Sequence, residues 1–317
     1  MESKIKIGVS SCLLGNLVRY DGGHKRNRYI TDTLSKYFRF VPVCPEVECG
    51  LPVPREAMRL VGNSENPRLV TVRSHQDHTE KMQEFCAGKV DQLKKEELCG
   101  FIFKKDSPSS GLYRVKVYSP SGQNSIRNGR GLFASAVAEN FPLLPLEEEG
   151  RLNDFPLREN FIERVFSYRR WKDFLEDSPD YKKLIDFHTG QKLLIMAHSP
   201  RHYSFLGKLV AHGKKQPREQ LLTTYEKSYM EALSSFSTVK KNVNVLLHIM
   251  GHFKSYITPD EKKELREVIW EYRNFLAPLT VPLTLINHYV RKYNISYLKK
   301  QSYLSPHPSE LMLRNHV

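Results

Sequence analysis

Three short segments of this sequence carry thiols, a carboxylate and hydroxyls, the side chains that bind metals and transfer protons. They are the Cys12 loop (Ser10-Ser11-Cys12-Leu13-Leu14-Gly15), the Cys44 loop (Cys44-Pro45-Glu46-Val47-Glu48-Cys49-Gly50) and the serine loop (Ser107-Pro108-Ser109-Ser110-Gly111). Each follows a short apolar run typical of a β-strand, at residues 5–9, 38–43 and 101–103. Ligands of open parallel sheets bind outside the carboxyl ends of the strands, so we expect the three loops to meet there. Converging thiols indicate a metal centre.

The thiols of these loops are candidate metal ligands. Cys44 and Cys49 lie five residues apart in one loop, and we expect Cys12 to lie beside them. Three thiolates would leave one position of an iron centre open for a substrate atom. The spacing alone is a weak signal, because familiar zinc and iron–sulfur patterns use closer or repeated pairs. We interpret the remaining thiols, Cys86 and Cys99, as buried small hydrophobic residues.

The polar residues of the loops are candidate catalytic groups. Glu46 stands where a carboxylate has no packing role, and beside a metal centre it could activate water. A helix-capping or solvent-facing acid is the alternative. The hydroxyls of Ser107, Ser109 and Ser110 could donate hydrogen bonds to a ligand or to a developing anion. An ordinary turn is the competing interpretation of the serine loop.

A basic segment, residues 19–26, combines an aromatic ring, two glycines and several basic side chains. This mixture suits contacts with phosphates and bases, although a solvated surface loop is an equal alternative. Together with two serines of the serine loop, it supplies the predicted substrate-binding residues: Arg19, Tyr20, Asp21, His24, Lys25, Ser109 and Ser110.

The composition indicates a globular protein with a polyanionic partner. No apolar stretch approaches the roughly 20 residues of a membrane span, and the start has no signal-peptide core, so we expect a soluble cytoplasmic protein. Its five cysteines then read as reduced thiols or metal ligands. Residues 1–150 hold 22 Lys and Arg against 18 Asp and Glu, whereas residues 151–317 hold 27 against 17. A basic excess concentrated in the second half favours nucleic acid, with a merely basic surface as the alternative.

The pattern along the chain divides it into two domains. Apolar β-prone runs alternate with helical stretches in the first half, and residues 114–118 add a strand candidate. This predicts a three-layer, Rossmann-like α/β domain with a mainly parallel sheet at residues 1–145. Prolines, three consecutive glutamates and a glycine predict a linker at 146–157. Helical periodicity beyond it predicts an all-α domain at 158–317.

Within the second half, a capping box marks the start of one helix. Thr258-Pro259-Asp260-Glu261 places proline at the first helical position and predicts a helix as far as about Phe275. We expect the residues from about Ser305 onwards to fray, because they carry prolines and polar groups. Basic residues interleave with aromatic ones in this domain, which suits RNA. The predicted RNA-binding residues are Arg169, Arg170, Lys214, Lys215, Arg291 and Lys292.

Taken together, the motifs resemble the thiouracil and 4-thiouridine desulfidase family. Members carry a Ser-x-Cys-Leu-x-Gly loop, a Cys-Pro-Glu loop, Gly-Leu-Pro-x-Pro-Arg, here residues 50–55, and a Ser-Pro-Ser-Cys-Gly loop. The match covers roughly residues 4–140, and the whole chain resembles the longer form in which a YbgA-like helical domain follows. The resemblance implies a three-cysteine [4Fe–4S] cluster with one iron free to bind the sulfur of a thiocarbonyl base. It also implies tRNA containing 4-thiouridine as the substrate.

The family pattern carries over to Cys12, Cys44 and Glu46 directly. The cysteine of its Ser-Pro-Ser-Cys-Gly loop is Ser110 here, so the third ligand must come from elsewhere. Cys49 is the natural replacement, and Cys99 is the alternative. We expect Glu46 to deprotonate water and Ser107 to orient the substrate or stabilise the intermediate, giving uridine and sulfide without net redox change.

Two other functions remain open at this point. The cysteines of a nucleic-acid-binding module could bind zinc or sense redox state without catalysis. Alternatively, the protein could be an enzyme that removes sulfur from free thiopyrimidine bases. The basic helical domain argues against free bases, because a small base needs no such surface.

Overall fold

The structure is a computed structural model that describes residues 4–316, in two compact units divided after Asp154. The first unit contains a four-stranded sheet with the order β2-β1-β5-β8. Its strands are β1 (Ile5–Ser10), β2 (Phe38–Val43), β5 (Phe101–Phe103) and β8 (Leu146–Glu148), and all its recorded pairings are parallel. The strands predicted before the three loops are therefore confirmed as members of one sheet, with β1 between β2 and β5. Their carboxyl ends lie at one edge of the sheet, as expected.

Aromatic packing fixes this sheet against its helices. Phe133 of α3 (Leu132–Asn140) lies edge-on to Phe101 and Phe103 of β5, at centroid distances of 5.7 and 6.2 Å. Phe85 of α2 (Thr79–Lys94) extends the cluster, 6.4 Å from Phe133. Gly8 of β1 is required for this packing, because a Cβ there would lie 2.1 Å from the Phe101 ring.

A second sheet, which the sequence did not predict, has the order β4-β3-β6-β7. Its strands are β3 (Met58–Gly62), β4 (Pro67–Thr71), β6 (Val115–Tyr118) and β7 (Ser125–Gly129). Only β6 was predicted as a strand. The β3–β6 pair is parallel, whereas β3–β4 and β6–β7 are antiparallel. Three of the four residues Ser125–Asn128 of β7 are polar and all four are exposed, so this strand has no apolar alternation to reveal it.

The boundary between the two units lies inside the predicted linker at 146–157, but most of this segment has regular structure. Its first residues form β8, which pairs with β5, and its last residues begin α4 (Phe155–Glu176). The glutamates suggested a solvated stretch, but Glu148 is buried and accepts hydrogen bonds from the backbone N–H groups of Leu112 (2.9 Å) and Tyr113 (3.1 Å). These hydrogen bonds from distant backbone groups therefore stabilise the buried position of Glu148, although its charge suggested an exposed one.

The second unit is all-helical, as predicted. After α4 come α5 (Tyr181–His198), α6 (Pro200–His212), α7 (Arg218–Ser234), α8 (Val239–His252), α9 (Pro259–Arg273), α10 (Thr280–Lys292) and the short α11 (Ser296–Lys299). The capping box at Thr258 and Glu261 is confirmed in both of its hydrogen bonds. None of the helices in residues 4–316 is both long and apolar enough to cross a membrane.

The expected fraying of the C-terminal residues is also wrong. Arg314 is buried, with Nη2 2.6 Å from Glu163 Oε1 and Nε 3.3 Å from Glu159 Oε1. Its third nitrogen, Nη1, donates to the carbonyl oxygen of Tyr303 at 2.6 Å. The C-terminal segment is therefore held in the helical unit through ionic contacts that its own composition does not reveal.

Candidate active site

The three loops line one open cavity of about 380 Å³ at the carboxyl edge of the parallel sheet. Its walls come from the Cys12 loop, the Cys44 loop, the serine loop, the basic segment and residues 55–58. A cavity of this size lies within the range of small-ligand sites. Parallel pairing of β2, β1 and β5 explains the convergence, because it places the residues that follow each strand side by side.

Glu46 lies in the one-turn helix α1 (Pro45–Glu48), which begins directly after Cys44. Its Oε1 accepts a 2.5 Å hydrogen bond from the hydroxyl of Ser109, and its Oε2 lies 3.8 Å from Nη2 of Arg55. The same Oε2 lies 3.5 Å from the Cys44 sulfur. The carboxylate is therefore largely buried and oriented by a hydroxyl and a guanidinium, as a general base requires.

The serine loop is a compact turn built around one hydroxyl. Oγ of Ser107 accepts hydrogen bonds from the backbone N–H groups of Ser109 (3.3 Å) and Ser110 (3.1 Å), and it lies 3.0 Å from Oγ of Ser109. Gly111 closes the turn by donating to the Ser107 carbonyl at 2.8 Å, where an added Cβ would lie 2.7 Å from that oxygen. The loop thus connects Ser107 to Glu46 through Ser109.

Two thiols face the cavity. Cys12 and Cys44 both line it and are nearly buried. Burial raises the pKa of Cys12 to about 11, against the opposing effect of the nearby Lys104 ammonium. Burial, reinforced by the Glu46 carboxylate, raises the pKa of Cys44 to about 12. Both groups therefore hold their protons at neutral pH unless a bound metal displaces them.

The third predicted ligand, Cys49, does not line this cavity. It follows the last residue of α1, and its Sγ donates to the carbonyl oxygen of Glu46 at 3.2 Å. Burial raises its pKa, and its thiol interacts electrostatically with Cys86 of α2. Ser110, which replaces the third cysteine of the family loop, does line the cavity. In residues 4–316, no three His, Cys, Asp or Glu side chains are placed to hold a metal ion.

Cys99, the alternative third ligand, lies at the opposite edge of the sheet. It precedes β5, and its backbone N–H donates to the carbonyl oxygen of Lys6 near the start of β1. Its thiol is fully buried and lies 3.8 Å from the carbonyl oxygen of Glu97. The interpretation of Cys86 and Cys99 as buried residues fits these positions.

The basic segment supplies one side of the cavity. Arg19, Tyr20 and Lys25 are among the lining residues, whereas Asp21 and His24 are not. Asp21 lies 3.3 Å from Arg19 and accepts a hydrogen bond from a backbone N–H two residues on. His24 likewise accepts from the backbone N–H two residues on, at 3.1 Å. Asp21 and His24 shape the segment, and the other three residues can contact a ligand.

Two cationic residues of the cavity, Arg55 and Lys104, were not assigned a role from the sequence. Arg55 is buried, and its Nη1 donates to the Val18 carbonyl at 3.0 Å. Lys104 lies directly after β5, with Nζ 2.5 Å from Oε1 of Glu149. The position of Lys104 after a parallel strand is the signal that could have identified it. Arg55 ends the Gly-Leu-Pro-x-Pro-Arg motif at residues 50–55, but its contact with Glu46 depends on the tertiary fold.

Three of the six predicted RNA-binding residues already have partners within the helical unit. Arg169 lies 2.5 Å from Asp173, and Arg170 donates to the Pro306 carbonyl at 2.7 Å. Lys292 lies 2.7 Å from Glu261. The other three residues are exposed to solvent. They are Lys214, Lys215 and Arg291.

Comparisons with known proteins match each half of the chain separately. A family model described as 2-thiouracil desulfurase matches residues 7–149, and one described as a protein of unknown function, DUF1722, matches residues 192–308. The uncharacterized protein YbgA of Escherichia coli (strain K12) is 30% identical over 153 residues, covering 48% of this chain and 90% of that protein. The uncharacterized protein YbbK of Bacillus subtilis (strain 168) is 32% identical over 108 residues, covering 32% of this chain and 71% of that protein.

One solved structure, of the [4Fe-4S]-dependent thiouracil desulfidase TudS, is 28% identical with a TM-score of 0.38, covering 48% of this chain and 95% of that chain. The two family models match separate stretches of the chain, one in each of the two units of the fold. The chain therefore belongs to the same family as YbgA, 90% of which it covers, and it carries at residues 7–149 a domain that matches the 2-thiouracil desulfurase family model.

Proposed function

We propose that this protein is a desulfidase that removes the sulfur of 4-thiouridine in tRNA, giving uridine and sulfide. The observation that carries the proposal is the hydrogen bond between Glu46 and Ser109 in a cavity that also exposes two thiols. The match of residues 7–149 to the 2-thiouracil desulfurase family model supports the same reaction class. A carboxylate held beside thiols suits the replacement of a base's sulfur by the oxygen of water.

The reaction is a hydrolysis. One water molecule supplies the oxygen of the new carbonyl group, and its two protons leave with the sulfur as hydrogen sulfide. No atom of the base changes its oxidation state overall, so the reaction consumes no external reductant. This balance separates the proposal from reductive removal of sulfur.

Glu46 is the general base that takes a proton from the attacking water. Arg55, 3.8 Å away, orients the carboxylate, while Ser109 fixes one of its oxygens. Ser107 lies 3.0 Å from Ser109 and lines the cavity, so its single hydroxyl proton can be donated either to Ser109, which connects it to the base, or to the substrate. Such a hydroxyl chain can return a proton to the departing sulfur.

The thiols fit an iron–sulfur cluster in chemistry, since soft thiolates are its usual ligands. Cys12, Cys44 and Cys49 would hold a [4Fe–4S] cluster. When bound, the cluster would supply an iron that acts as a Lewis acid toward the sulfur of the base. Cys49 is not among the cavity-lining residues, so holding the cluster requires its thiol to leave the Glu46 carbonyl and turn toward the cavity. Ser110, whose side chain has no sulfur, occupies the position of the family's third cysteine.

The charge of the helical unit supports tRNA over a free base as the substrate. A shallow cavity of about 410 Å³ between α5 and α6, the α5–α6 groove, is lined by Lys192, Tyr203, Lys208 and His212 and by no acidic side chain of the described chain. Lys214 and Lys215 follow directly after α6. Cationic side chains beside an aromatic ring suit the phosphates and bases of RNA.

The test compares three substrates under anaerobic conditions without an added reductant. Reconstituted protein is incubated with thiolated tRNA, with 4-thiouridine and with 2-thiouracil, while base sulfur and released sulfide are followed. The proposal predicts stoichiometric sulfide release, fastest from tRNA. Faster turnover of the free base would show that the substrate is a small thiopyrimidine. A colourless, zinc-containing protein without turnover would favour a nucleic-acid-binding module.

A further inference from the structure

The helical unit contains a second cavity that takes no part in the proposed reaction. It has a volume of about 280 Å³, at the lower end for a small-ligand site. Its lining includes polar residues of α4, α8 and the C-terminal segment, with aromatic rings at its edge. All of its lining residues belong to the helical unit, so its shape does not depend on how the two units are arranged.

One carboxylate in this cavity is incompletely paired. Glu163 has close partners at both oxygens, with Arg314 at 2.6 Å and His198 at 2.8 Å. Glu159 is also buried, but its nearest partners are farther away, Arg314 at 3.3 Å and His316 at 3.5 Å. Burial and the Glu163 charge raise the pKa of Glu159 to about 7. Each oxygen of Glu159 keeps acceptor capacity for a ligand.

The rest of the cavity suits a flat ring. Phe236 and Phe275 line it while remaining 44% and 63% exposed, although large apolar side chains on helical domains normally pack inward. The Tyr272 hydroxyl accepts from the Asn242 amide at 3.1 Å, which leaves its proton for another acceptor. A carboxylate, a hydroxyl donor and exposed rings together match a nucleobase edge and its stacking face.

We propose that this cavity binds a guanine base, with its ring against Phe275 and its N–H edge on Glu159. Guanine presents two adjacent donors, the N1–H and the 2-amino group, which match the two oxygens of one carboxylate. Adenine and cytosine pair a donor with an acceptor on the corresponding edge, and uracil offers one donor. The pairing therefore selects guanine among the four bases when Glu159 is ionised.

The test is isothermal titration of the full chain with guanosine, inosine, adenosine and cytidine at pH 8, where Glu159 is ionised. Guanosine is expected to bind most tightly, and inosine, which lacks the 2-amino group, about tenfold more weakly. Glu159→Gln is expected to weaken guanosine binding about 10- to 100-fold, because a charge-assisted hydrogen bond is lost. Phe275→Ala is expected to weaken it about tenfold through lost stacking.

Trp270→Ala is the matched control, because Trp270 is an exposed aromatic residue of α9 that does not line the cavity. Its guanosine affinity should equal that of the unsubstituted protein. Circular dichroism of every variant establishes that the helices remain folded. Equal affinity for guanosine and adenosine, or unchanged affinity in both Glu159→Gln and Phe275→Ala, would overturn the proposal. Binding of spermidine in place of guanosine would also overturn it, by identifying a site for organic cations.

Discussion

The hydroxyl of Ser109 donates a 2.5 Å hydrogen bond to the carboxylate of Glu46, which lies 63 positions earlier in the sequence. Two loops that follow non-adjacent strands of one parallel sheet therefore share a proton-transfer group. Ser107 continues the chain of hydroxyls and lines the cavity. This connection is the feature of the structure that a hydrolytic mechanism uses most directly.

Replacing Ser109 by alanine should slow turnover about 10- to 100-fold, because Glu46 loses the donor that orients it and the link to Ser107 is broken. The rate of sulfide release at saturating substrate measures this effect. Ser121→Ala is the matched control, since Ser121 is an exposed hydroxyl in the loop between β6 and β7. Equal rates in the two variants would remove Ser109 from the mechanism.

The assignment of Cys49 as third ligand can be separated from activity by measuring iron. Cys49→Ala should purify with strongly reduced iron and sulfide content and without the brown absorption of a [4Fe–4S] cluster. Cys99→Ala is the control. Because Cys99 lies at the far edge of the sheet, its substitution should leave the iron and sulfide content unchanged. Adding Ser110→Cys to Cys49→Ala should restore the cluster, since position 110 lines the cavity. Full iron content in Cys49→Ala alone would contradict the assignment.

The α5–α6 groove should contribute to tRNA binding through counterion release. Lys192→Glu combined with Lys208→Glu should weaken tRNA binding at least about tenfold and reduce the slope of log Kd against log salt by about 2. Desulfidation of the nucleoside should stay unchanged. Lys240→Glu with Lys263→Glu, two exposed lysines that do not line the groove, is the control. Equal tRNA affinities in the two double variants would show that tRNA does not bind at the α5–α6 groove.

The pKa of Glu159 makes the stability of the helical unit depend on pH. Its pKa is raised from 4.5 to about 7, so the folded state binds this proton more tightly than the unfolded chain. The resulting stabilisation is complete below about pH 4.5 and is lost as pH rises through 7. Between pH 5 and 8, ionisation of Glu159 should lower the free energy of unfolding by about 2–3 kcal/mol.

Glu159→Gln removes that titration, so the difference between the two proteins isolates it from groups such as His188, whose pKa burial lowers to about 4. Tryptophan fluorescence during urea unfolding reports on the helical unit selectively, because Trp171 and Trp270 both belong to it. The stability of the unsubstituted protein should fall relative to the variant as pH rises. Parallel pH profiles would contradict the raised pKa.

The sequence was sufficient for features that follow from local pattern. Strands β2 and β5 end where their apolar runs end, and β1 ends one residue later. Parallel order then places the Cys12 loop, the Cys44 loop and the serine loop together. The capping box at Thr258 likewise depends on four consecutive residues. Periodicity also identified the second unit as helical.

The features that sequence reasoning missed depend on contacts between distant residues. Arg55 is a site residue only because its guanidinium reaches Glu46, and Arg314 is buried only because two glutamates of α4 surround it. Exposed β7 has no apolar alternation and forms through pairing with β6. The orientation of the Cys49 thiol depends on the Glu46 carbonyl beside it, which the five-residue spacing does not specify.

The most direct test of the account is the comparison of Glu46→Gln with the unsubstituted protein, both reconstituted without oxygen and incubated with tRNA containing 4-thiouridine. The amide keeps the size of the side chain but accepts no proton from water. We expect both proteins to be brown and the variant to release sulfide about 10²- to 10⁴-fold more slowly. Equal rates of sulfide release from two equally brown proteins would contradict hydrolysis by Glu46.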